Sequence, residues 1–492
     1  MSYIIGIDVG TSSLKGILVT KQGNVVATRQ QEYGLETPQP GFSEQHPAVW
    51  TDALVSVLKQ LLTDVPEAAQ KTEGISFSGQ MHSLVLLNDE GEILRNAILW
   101  NDVRTTPQCE EITRTLGDEL IDITKNKALE GFTLPKLLWV KENEPDIWQD
   151  VARFLLPKDY VGFFLTGNQQ MEYSDAAGTL LLNTEEKEWS QKILQAFDIP
   201  EMICPPLVES SDCIGYIKTD LAKDIGFDTP VAVYSGGADN ACAALAAGIT
   251  SSGLALASIG TSGVFLSYED DPEGSYGGHL HYFNHADKDR YYSMGVTLAA
   301  GHSLSWFKQT FASTKSYDEL LKNISSVPVG SDNLLFTPYI AGERTPYTDS
   351  HIRGSFVGMS VGHTLDHFAR AVIEGITFSL KDSQELMKQY AGKKFDAIVS
   401  VGGGAKNQDW LQIQADVFNT KIVTLASEQG PALGAAMIAA VGANWYDSMA
   451  DCSREFVIYD KEYLPDDYRV SAYDTCYQHY RKVYPATKDI FN

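Results

Sequence analysis

One short turn is written twice in this chain, and that repetition constrains the fold more than any other feature. "IIGIDVGTSSLKG" (residues 4–16) runs an apolar strand into Gly10-Thr11-Ser12 and out into apolar residues again. "LASIGTSGVFL" (residues 256–266) does the same through Gly260-Thr261-Ser262, at the head of the second half of a 492-residue chain. Such a turn exposes backbone N–H groups and two hydroxyls, a donor-rich nest suited to phosphate oxygens. A single copy reads equally well as a plain β-hairpin turn. Two copies at matching places predict two nests facing each other across a cleft, gripping one polyphosphate from both sides.

The segments around the turns repeat a common grammar. Residues 4–18 read as two strands, and "KQGNVVATRQ" adds a Gly-Asn turn and a third, making a β-meander. "HPAVWTDALVSVLKQLL" carries Val49, Ala53, Val57 and Leu61 on one helical face. "EGISFSGQMHSLVLLN" reads as strand, and "GEILRNAILWND" as another strand ending in a polar cluster. Residues 133–165 look helical in pieces interrupted at Pro135, Pro145 and Pro157. In the second half "LALASIGTSGVFLSY" is a hairpin and "FDAIVSVGGG" a strand. "HTLDHFARAVIEGITFSLKD" is a helix whose stripe of Phe368, Val372, Ile376 and Leu380 is a core face. The small residues of "GPALGAAMIAAVG" predict a buried helix packed closely on a sheet. Strands alternate with helices in both halves, so the class is α/β with mixed sheets. No linker separates the halves, and the boundary falls near residues 240–256, giving domains of 1–246 and 247–492.

Composition narrows the partners. A formal charge of −26 opposes nucleic acid and anionic membrane surfaces. A polyanion can still be held locally by backbone N–H groups and a metal ion. Cys109, Cys204, Cys213, Cys242, Cys452 and Cys476 form no Cys-x-x-Cys pair and no zinc-spaced set, which predicts reduced thiols in a cytoplasmic protein. The start of the chain has no basic and apolar leader pattern, and no apolar run approaches the roughly 20 residues of a membrane span.

Four polar clusters carry candidate chemistry. Asp8 lies inside an apolar strand, where a carboxylate is costly unless partnered. It either caps the following turn or orders a Mg²⁺ ion through water beside phosphates. "VAVYSGGADNACAALAAG" enters a helix near Asp239-Asn240. Asp239 there is an ordinary N-cap candidate, yet a helix N-terminus also favours the ionised carboxylate that a hydroxyl needs in phosphoryl transfer. "VSVGGGAKNQDWL" passes through Gly402, Gly403 and Gly404 to Asn407; it is neither a Walker A loop nor a dinucleotide fingerprint, and reads as a nucleotide platform or a tight strand-to-helix turn. Gln80, His82, Trp100, Asn101, Asp102 and Arg104 mix donors, acceptors and an aromatic wall, which suits a polyhydroxylated ligand. His82 alone reads equally as a structural histidine.

Together these segments resemble the FGGY family of carbohydrate kinases, within the ribonuclease-H-like ATPases of actin and Hsp70 type. "GFTLPKLLWVKEN" (131–143) fits the family's first signature, and "GSFVGMSVGHTLDHFARAVIE" (354–374) its second, with Gly358, His367 and Glu374 in place. The resemblance implies two duplicated ribonuclease-H-like domains with the active site in the cleft between them, sugar against the first lobe and ATP mainly against the second. By position it makes Asp239 the catalytic base and Asp8 a Mg²⁺-associated acid, with both as candidate metal-site residues. Met81, His82, Trp100, Asn101, Asp102, Arg104 and Asn240 become substrate-contact positions, Asn101 and Asp102 foremost. Thr11, Ser12, Ser13, Gly260, Thr261 and Ser262 match phosphate-binding positions, and Gly403, Gly404 and Asn407 the adenosine side. Ala238 stands where relatives often carry glycine, which narrows the backbone before Asp239.

"GQMH", "ILWNDVR", "LLPKDY", "SDAAGT", "PYIAGERTP" and "GPALGAA" are written as the D-xylulose-phosphorylating subgroup writes them, or nearly so. The implied reaction moves the γ-phosphoryl group of MgATP to the terminal hydroxyl of D-xylulose, with small molecules as partners and a homodimer left open. Gluconate, L-ribulose or glycerol as acceptor is the nearer alternative, with Arg104 as a cation for gluconate's carboxylate. A non-catalytic ATP switch of the actin or Hsp70 kind is the further one. The final stretch, "YDKEYLPDDYRVSAYDTCYQHYRKVYP", is expected to supply a helix packed near either lobe.

Overall fold

The computed structural model describes residues 2–490, and it builds the same sheet twice. In the first half β1 (Tyr3–Val9), β2 (Ser13–Thr20) and β3 (Val25–Glu32) form an antiparallel meander in which Asp8 lies opposite Lys15. Helix α1 (Ala48–Asp64) buries Trp50, Leu54, Val57, Leu58 and Leu61. It returns the chain to β4 (Thr72–Gly79), which runs parallel to β1 on its other side. Between β4 and the next strands lie α2 (Thr133–Asn143) and α3 (Pro157–Thr166). Strands β5 (Ala232–Tyr234) and β6 (Gly237–Ala238) then pair with β4 in parallel, and α4 (Asp239–Ala246) starts directly from β6.

The second half repeats this order. Strands β7 (Leu254–Ile259), β8 (Gly263–Glu269) and β9 (Tyr291–Thr297) form the meander. Helices α5 (Gly301–Phe311) and α6 (Leu365–Ala391) lead to β10 (Ala397–Gly402), parallel to β7. Helix α7 (Gln408–Phe418) leads to β11 (Lys421–Leu425), parallel to β10. Helix α8 (Pro431–Gly442), strand β12 (Tyr459–Tyr463) and helix α9 (Asp467–Tyr480) complete it. A meander followed by parallel crossovers brings the first and fourth strands side by side, so both turns of interest and both glycine-rich strand ends emerge on one edge of each sheet.

The halves are joined by backbone contact rather than by a linker. Helix α8, chemically part of the second half, lies on the first sheet and on α4. A Cβ added at Gly6 of β1 would stand 2.0 Å from the Ala432 carbonyl oxygen, and one at Gly434 would stand 2.0 Å from that of Cys242. The small-residue stretch is therefore a buried helix, as its composition predicts, but the sheet it lies on belongs to the opposite half. Beside this seam Lys15 reaches across to donate to the Gln429 carbonyl at 2.8 Å.

Two local readings change, and the closing helix, expected near either lobe, is found on the second. Pro145 and Pro157 begin helices instead of interrupting one, and Pro135 sits within the first turn of α2. A proline costs no hydrogen bond there, because the first N–H groups of a helix have no internal partner. A short strand, Arg153–Leu155, lies between the last two. The segment "GEILRNAILWND" pairs as a strand only over Ala97–Ile98. The closing segment joins the second half: β12 is the sheet edge beyond β11, and α9 sends Tyr473 Oη to Glu374 (2.8 Å) and Tyr477 Oη to Asp382 (2.6 Å) on α6. Glu374, the last residue of the second signature, also accepts from Gly330 N, Ser331 Oγ and Arg370 Nε. That signature holds a lobe together; it does not line the cleft.

Two substitutions test this packing. Gly434→Ala would add about 1 kcal/mol of helix preference in a free helix. Against the Cys242 backbone it is expected instead to lower unfolding free energy by about 1–3 kcal/mol in a denaturant titration. Burial pushes the Asp382 carboxyl up from 3.8 to about 7, and its second oxygen is buried without a partner. A raised folded-state value means the contribution is full below the ordinary carboxylate range and fades as pH rises through 7. Asp382→Asn is expected to remove that slope and to be more stable than the parent at pH 8 by about 2 kcal/mol, read from paired titrations at pH 5 and 8.

Candidate active site

A cavity of about 450 Å³ opens between the halves. Met81, His82, Trp100, Phe132, Asp239 and Asn240 line it from the first half, and Ser262, His281, Arg344, Gly402 and Glu428 from the second. A second cavity, about 640 Å³, lies within the second half between Gly260, Thr261, Gly403, Gly404, Asn407, Tyr317 and Trp410. The tip of the β7–β8 hairpin separates the two: Ser262 borders the first and Thr261 the second.

Asp239 opens α4 with its carboxylate facing the interlobe cavity, where Asn240 Nδ2 donates to its Oδ1 at 2.9 Å. The backbone before it is anchored. Ala238 N donates to Ser174 Oγ (2.9 Å), and Ser174 Oγ donates to Glu172 Oε2 (2.7 Å). Glu172 lies in a fully buried cluster with Lys158, Asp159 and Asp175. Ala238 has φ −54°, an ordinary value, so its methyl group imposes nothing on the turn.

The electrostatics correct one expectation. Burial and the nearby charge of Asp8 raise the Asp239 carboxyl to about 7, against the ionising pull of Asn240 and the helix start. Asp8 is itself raised by burial, an effect partly offset by Lys15. A carboxyl whose ionisation is held back by burial and by a second carboxyl's charge makes a place where a cation is favourable. Among the described residues no cluster of three or more His, Cys, Asp and Glu is placed to hold a metal. Asp239 borders the cavity and Asp8, which lines neither cavity, acts on it by charge; such a pair fits Mg²⁺ held through water, since the ion keeps much of its hydration.

The two turns share a position but not a closure. Gly10 N donates to Ser13 O (3.0 Å), whereas Gly260 N donates to Ser262 O (3.0 Å). Neither glycine has positive φ, so the backbone does not demand glycine there. At Gly260 a Cβ would meet nothing closer than 3.7 Å, and the glycine leaves that face bare. The carbonyls of Gly260 and Thr261 accept from Gly301 N and His302 N, which fastens the hairpin to the start of α5. In the first half Thr11 Oγ1 accepts from Trp100 Nε1 (2.8 Å) and Ser13 Oγ from Gln30 Nε2 (2.8 Å), so those hydroxyls are engaged within the lobe. Gly402 has φ +80°, and a Cβ on Gly404 would press on the Ile259 side chain at 2.5 Å. Asn407 Oδ1 caps α7 by accepting from Trp410 N at 2.9 Å.

The sugar-side residues divide. His82 sits at φ +69°, its Nδ1 donating to the Gly178 carbonyl at 2.6 Å, which leaves Nε2 as an acceptor. Burial pushes it down to about 3, so it is neutral at physiological pH. Thr133 Oγ1 holds the His82 carbonyl (3.0 Å), and Lys136 Nζ donates to the carbonyls of Glu130, Gly131 and Phe132. The first signature thus builds the loop behind the interlobe cavity's Met81, His82 and Phe132 wall. Asp102 and Arg104 are corrections. Asp102 is wholly buried and accepts from Ser43 N, Arg104 N and the Arg104 guanidinium. Arg104 also pairs with Glu44 at 2.7 Å and lies 3.7 Å from the Phe42 ring centroid. With every charge matched inside the lobe, neither reaches the cavity, and Arg104 is not a cation offered to a substrate. Asn101 is exposed and does not line the cavity. Reading the sequence missed His281 and Arg344, which stand far along the chain from the first-half pocket residues; "GERTP" was visible as a motif, but nothing local marks where its arginine goes.

The profile of the FGGY family of carbohydrate kinases, N-terminal domain, matches residues 3–246, and that of its C-terminal domain residues 255–443. The chain is 52% identical over 490 residues to a xylulose kinase of Bacillus subtilis (strain 168), covering 100% of this chain and 98% of that protein. It superposes on a ligand-bound xylulose kinase from Lactobacillus acidophilus with a TM-score of 0.95 at 29% identity, covering 100% and 99% of the two chains. A gluconate kinase from Lactobacillus acidophilus superposes with a TM-score of 0.94, also at 29% identity and with coverage of 100% and 99%.

The internal pairing of Arg104 has a direct test. Arg104→Met strands the wholly buried Asp102 carboxylate, while Glu44 keeps its pairing with Arg95, and is expected to lower stability by about 3–5 kcal/mol. A substrate-binding role would instead raise the sugar KM of a protein that unfolds at its usual denaturant concentration.

Proposed function

Because the chain belongs to the FGGY family of carbohydrate kinases, we propose that it transfers the γ-phosphoryl group of ATP to the terminal primary hydroxyl of D-xylulose, giving D-xylulose 5-phosphate and ADP. The observation that carries the reading is the position of Asp239: a buried carboxyl at the meeting point of a sugar-sized pocket and the hairpin that borders the second cavity. The 52% identity to a xylulose kinase over nearly the whole of both chains supports D-xylulose as the acceptor.

In this reading ATP lies in the second-half cavity, its adenosine against Gly403, Gly404 and Asn407 and its phosphates running past Thr261 and Ser262 toward Asp239. The sugar lies against Met81, His82 and Trp100, with its terminal hydroxyl at Asp239. The hydroxyl oxygen forms the new O–P bond as the γ-phosphorus bond to the β,γ-bridging oxygen breaks, and Asp239 takes the hydroxyl proton. Bound Mg²⁺, held by Asp8 and Asp239 with water and phosphate oxygens, would neutralise phosphate charge and favour the ionised carboxylates. His82, neutral and fixed in one tautomer, accepts a hydrogen bond from a sugar hydroxyl. The cleft between the lobes keeps water from competing with the alcohol. The six free thiols fit a cytoplasmic setting, and among the described residues no helix is long and apolar enough to cross a membrane.

ADP release measured across ketoses, polyols and sugar acids decides the acceptor: D-xylulose is expected to give the highest kcat/KM, and a larger value for any other compound overturns that choice. Asp239→Asn is expected to lower kcat by about 10²–10⁴-fold, with folding and sugar binding retained. Asp8→Ala is expected to raise the Mg²⁺ concentration needed for half-maximal rate.

A further inference from the structure

Buried cations in this protein are almost all matched. Arg95, Arg104, Arg370 and Lys158 pair with carboxylates, and Lys136 with three carbonyls. Arg344 is the contrast. Its backbone is fixed on both sides: Glu343 accepts from Thr297 Oγ1 (2.5 Å) and Arg344 N (2.8 Å), and Thr345 Oγ1 accepts from Val296 N (3.0 Å). Its side chain, among the described residues, makes neither a hydrogen bond nor an ion pair, and it borders the interlobe cavity beside His82 and His281. The charges of Glu130 and Glu343 bear on this half-buried guanidinium, yet neither carboxylate pairs with it, and its five N–H donors are left for a ligand's oxygen atoms.

The neighbours say which part of a ligand that is. His281 Nδ1 lies 3.0 Å from Asn126 Oδ1, whose amide nitrogen donates to Thr124 O and Tyr282 O. His281 is thus a donor at Nδ1 and an acceptor at Nε2, as His82 is. The charge of Arg344 bears on both imidazoles, whereas the charge bearing on Asp239 is that of Asp8. Arg344 and His281 also border together a small adjoining cavity with Asn126 and Leu129, which Asp239 does not line, so Arg344 stands at the histidine end, apart from the carboxyl that takes the proton. Two imidazole acceptors and one forked donor suit hydroxyls together with a carbonyl or carboxylate oxygen.

We propose that Arg344 is the specificity residue of the cleft: its guanidinium binds the oxygen atoms at the sugar end remote from the hydroxyl that is phosphorylated, and it lets the same cleft take a five-carbon sugar acid by its carboxylate. The proposal rests on the kinase reading for the orientation of the sugar. It extends that reading to a second ligand class, anionic aldonates of the same length as the pentulose.

The test uses the full-length protein, Arg344→Gln and Arg344→Lys, with D-xylulose and D-xylonate as probes. Binding is read by tryptophan fluorescence, since Trp100 lines the cavity and is 40% exposed. The parent protein is expected to bind D-xylonate in competition with D-xylulose. Arg344→Gln is expected to raise the KM and Kd for D-xylulose roughly tenfold and those for D-xylonate roughly a hundredfold, with the KM for ATP unchanged, because only with the acid are both partners of the lost bonds charged. Arg344→Lys recovers part of the xylonate affinity. A rise in the ATP KM with sugar affinity unchanged would assign the guanidinium to phosphate and overturn the proposal. Unchanged affinity for every ligand, or no xylonate binding by the parent, overturns it as well. If Arg344→Gln fails to fold, the lysine variant carries the comparison through its smaller loss of xylonate over xylulose affinity. If the parent does not turn over D-xylulose, the kinase reading fails on its own, while fluorescence titration with both probes still decides the role of Arg344.

Discussion

The close approach of α8 to β1 and α4 is the contact on which the rest of the molecule depends. At Gly6 and Gly434 backbone meets backbone with no room for a side chain. A helix from the second half thereby becomes a layer of the first, and the distance between the two sheets is set by main-chain atoms that cannot yield. The interlobe cavity inherits its width from that seam. Helix α4, which opens with Asp239, is pressed against the same helix, so the candidate base is referenced to both lobes at once. Such packing is close to the limit of what protein interiors tolerate, which is why a methyl group matters there.

Charge is organised around the cleft with comparable economy. The chain is strongly acidic overall, yet the cleft sets Asp239, with the charge of Asp8 behind it, at one part and the unpaired guanidinium of Arg344 at another. The first arrangement favours a cation with bound phosphates; the second favours oxygen-rich neutral or anionic groups. Histidines 82 and 281 lie near Arg344 and are both held neutral by burial, which keeps them as hydrogen-bond acceptors instead of further positive charges. By contrast, Arg104 and Lys158 show how the fold silences a charge it uses only for architecture: each is surrounded by carboxylates with no exposure to the cavity.

The family signatures divide their labour in a way that their residue types conceal. Thr133 and Lys136 of the first hold the loop that carries Phe132 and the carbonyl of His82, one step behind the ligand. Glu374 of the second ties together a loop, an arginine and the closing helix, far from chemistry. Long motifs can thus report a fold as faithfully as an activity.

Local patterning made much of this legible. Alternating and helical periodicities depend on near neighbours in the chain, so both meanders, α1, α6 and the small-residue helix stand out from residues alone. The duplicated Gly-Thr-Ser turns, Asp8, Asp239 and the glycine-rich strand end also declare themselves locally, because each sits at a strand terminus that its flanking residues define. The choice between a charge that faces a ligand and one that is buried against partners was not decidable in that way. Asp102 and Arg104 are silenced by Glu44, Ser43 and Phe42 from a distant loop, whereas Glu130 and Glu343 act on Arg344 only by their charge and form no ion pair with it. Ion pairing depends on distances in space between residues far apart in sequence, and those distances were decided by the tertiary structure.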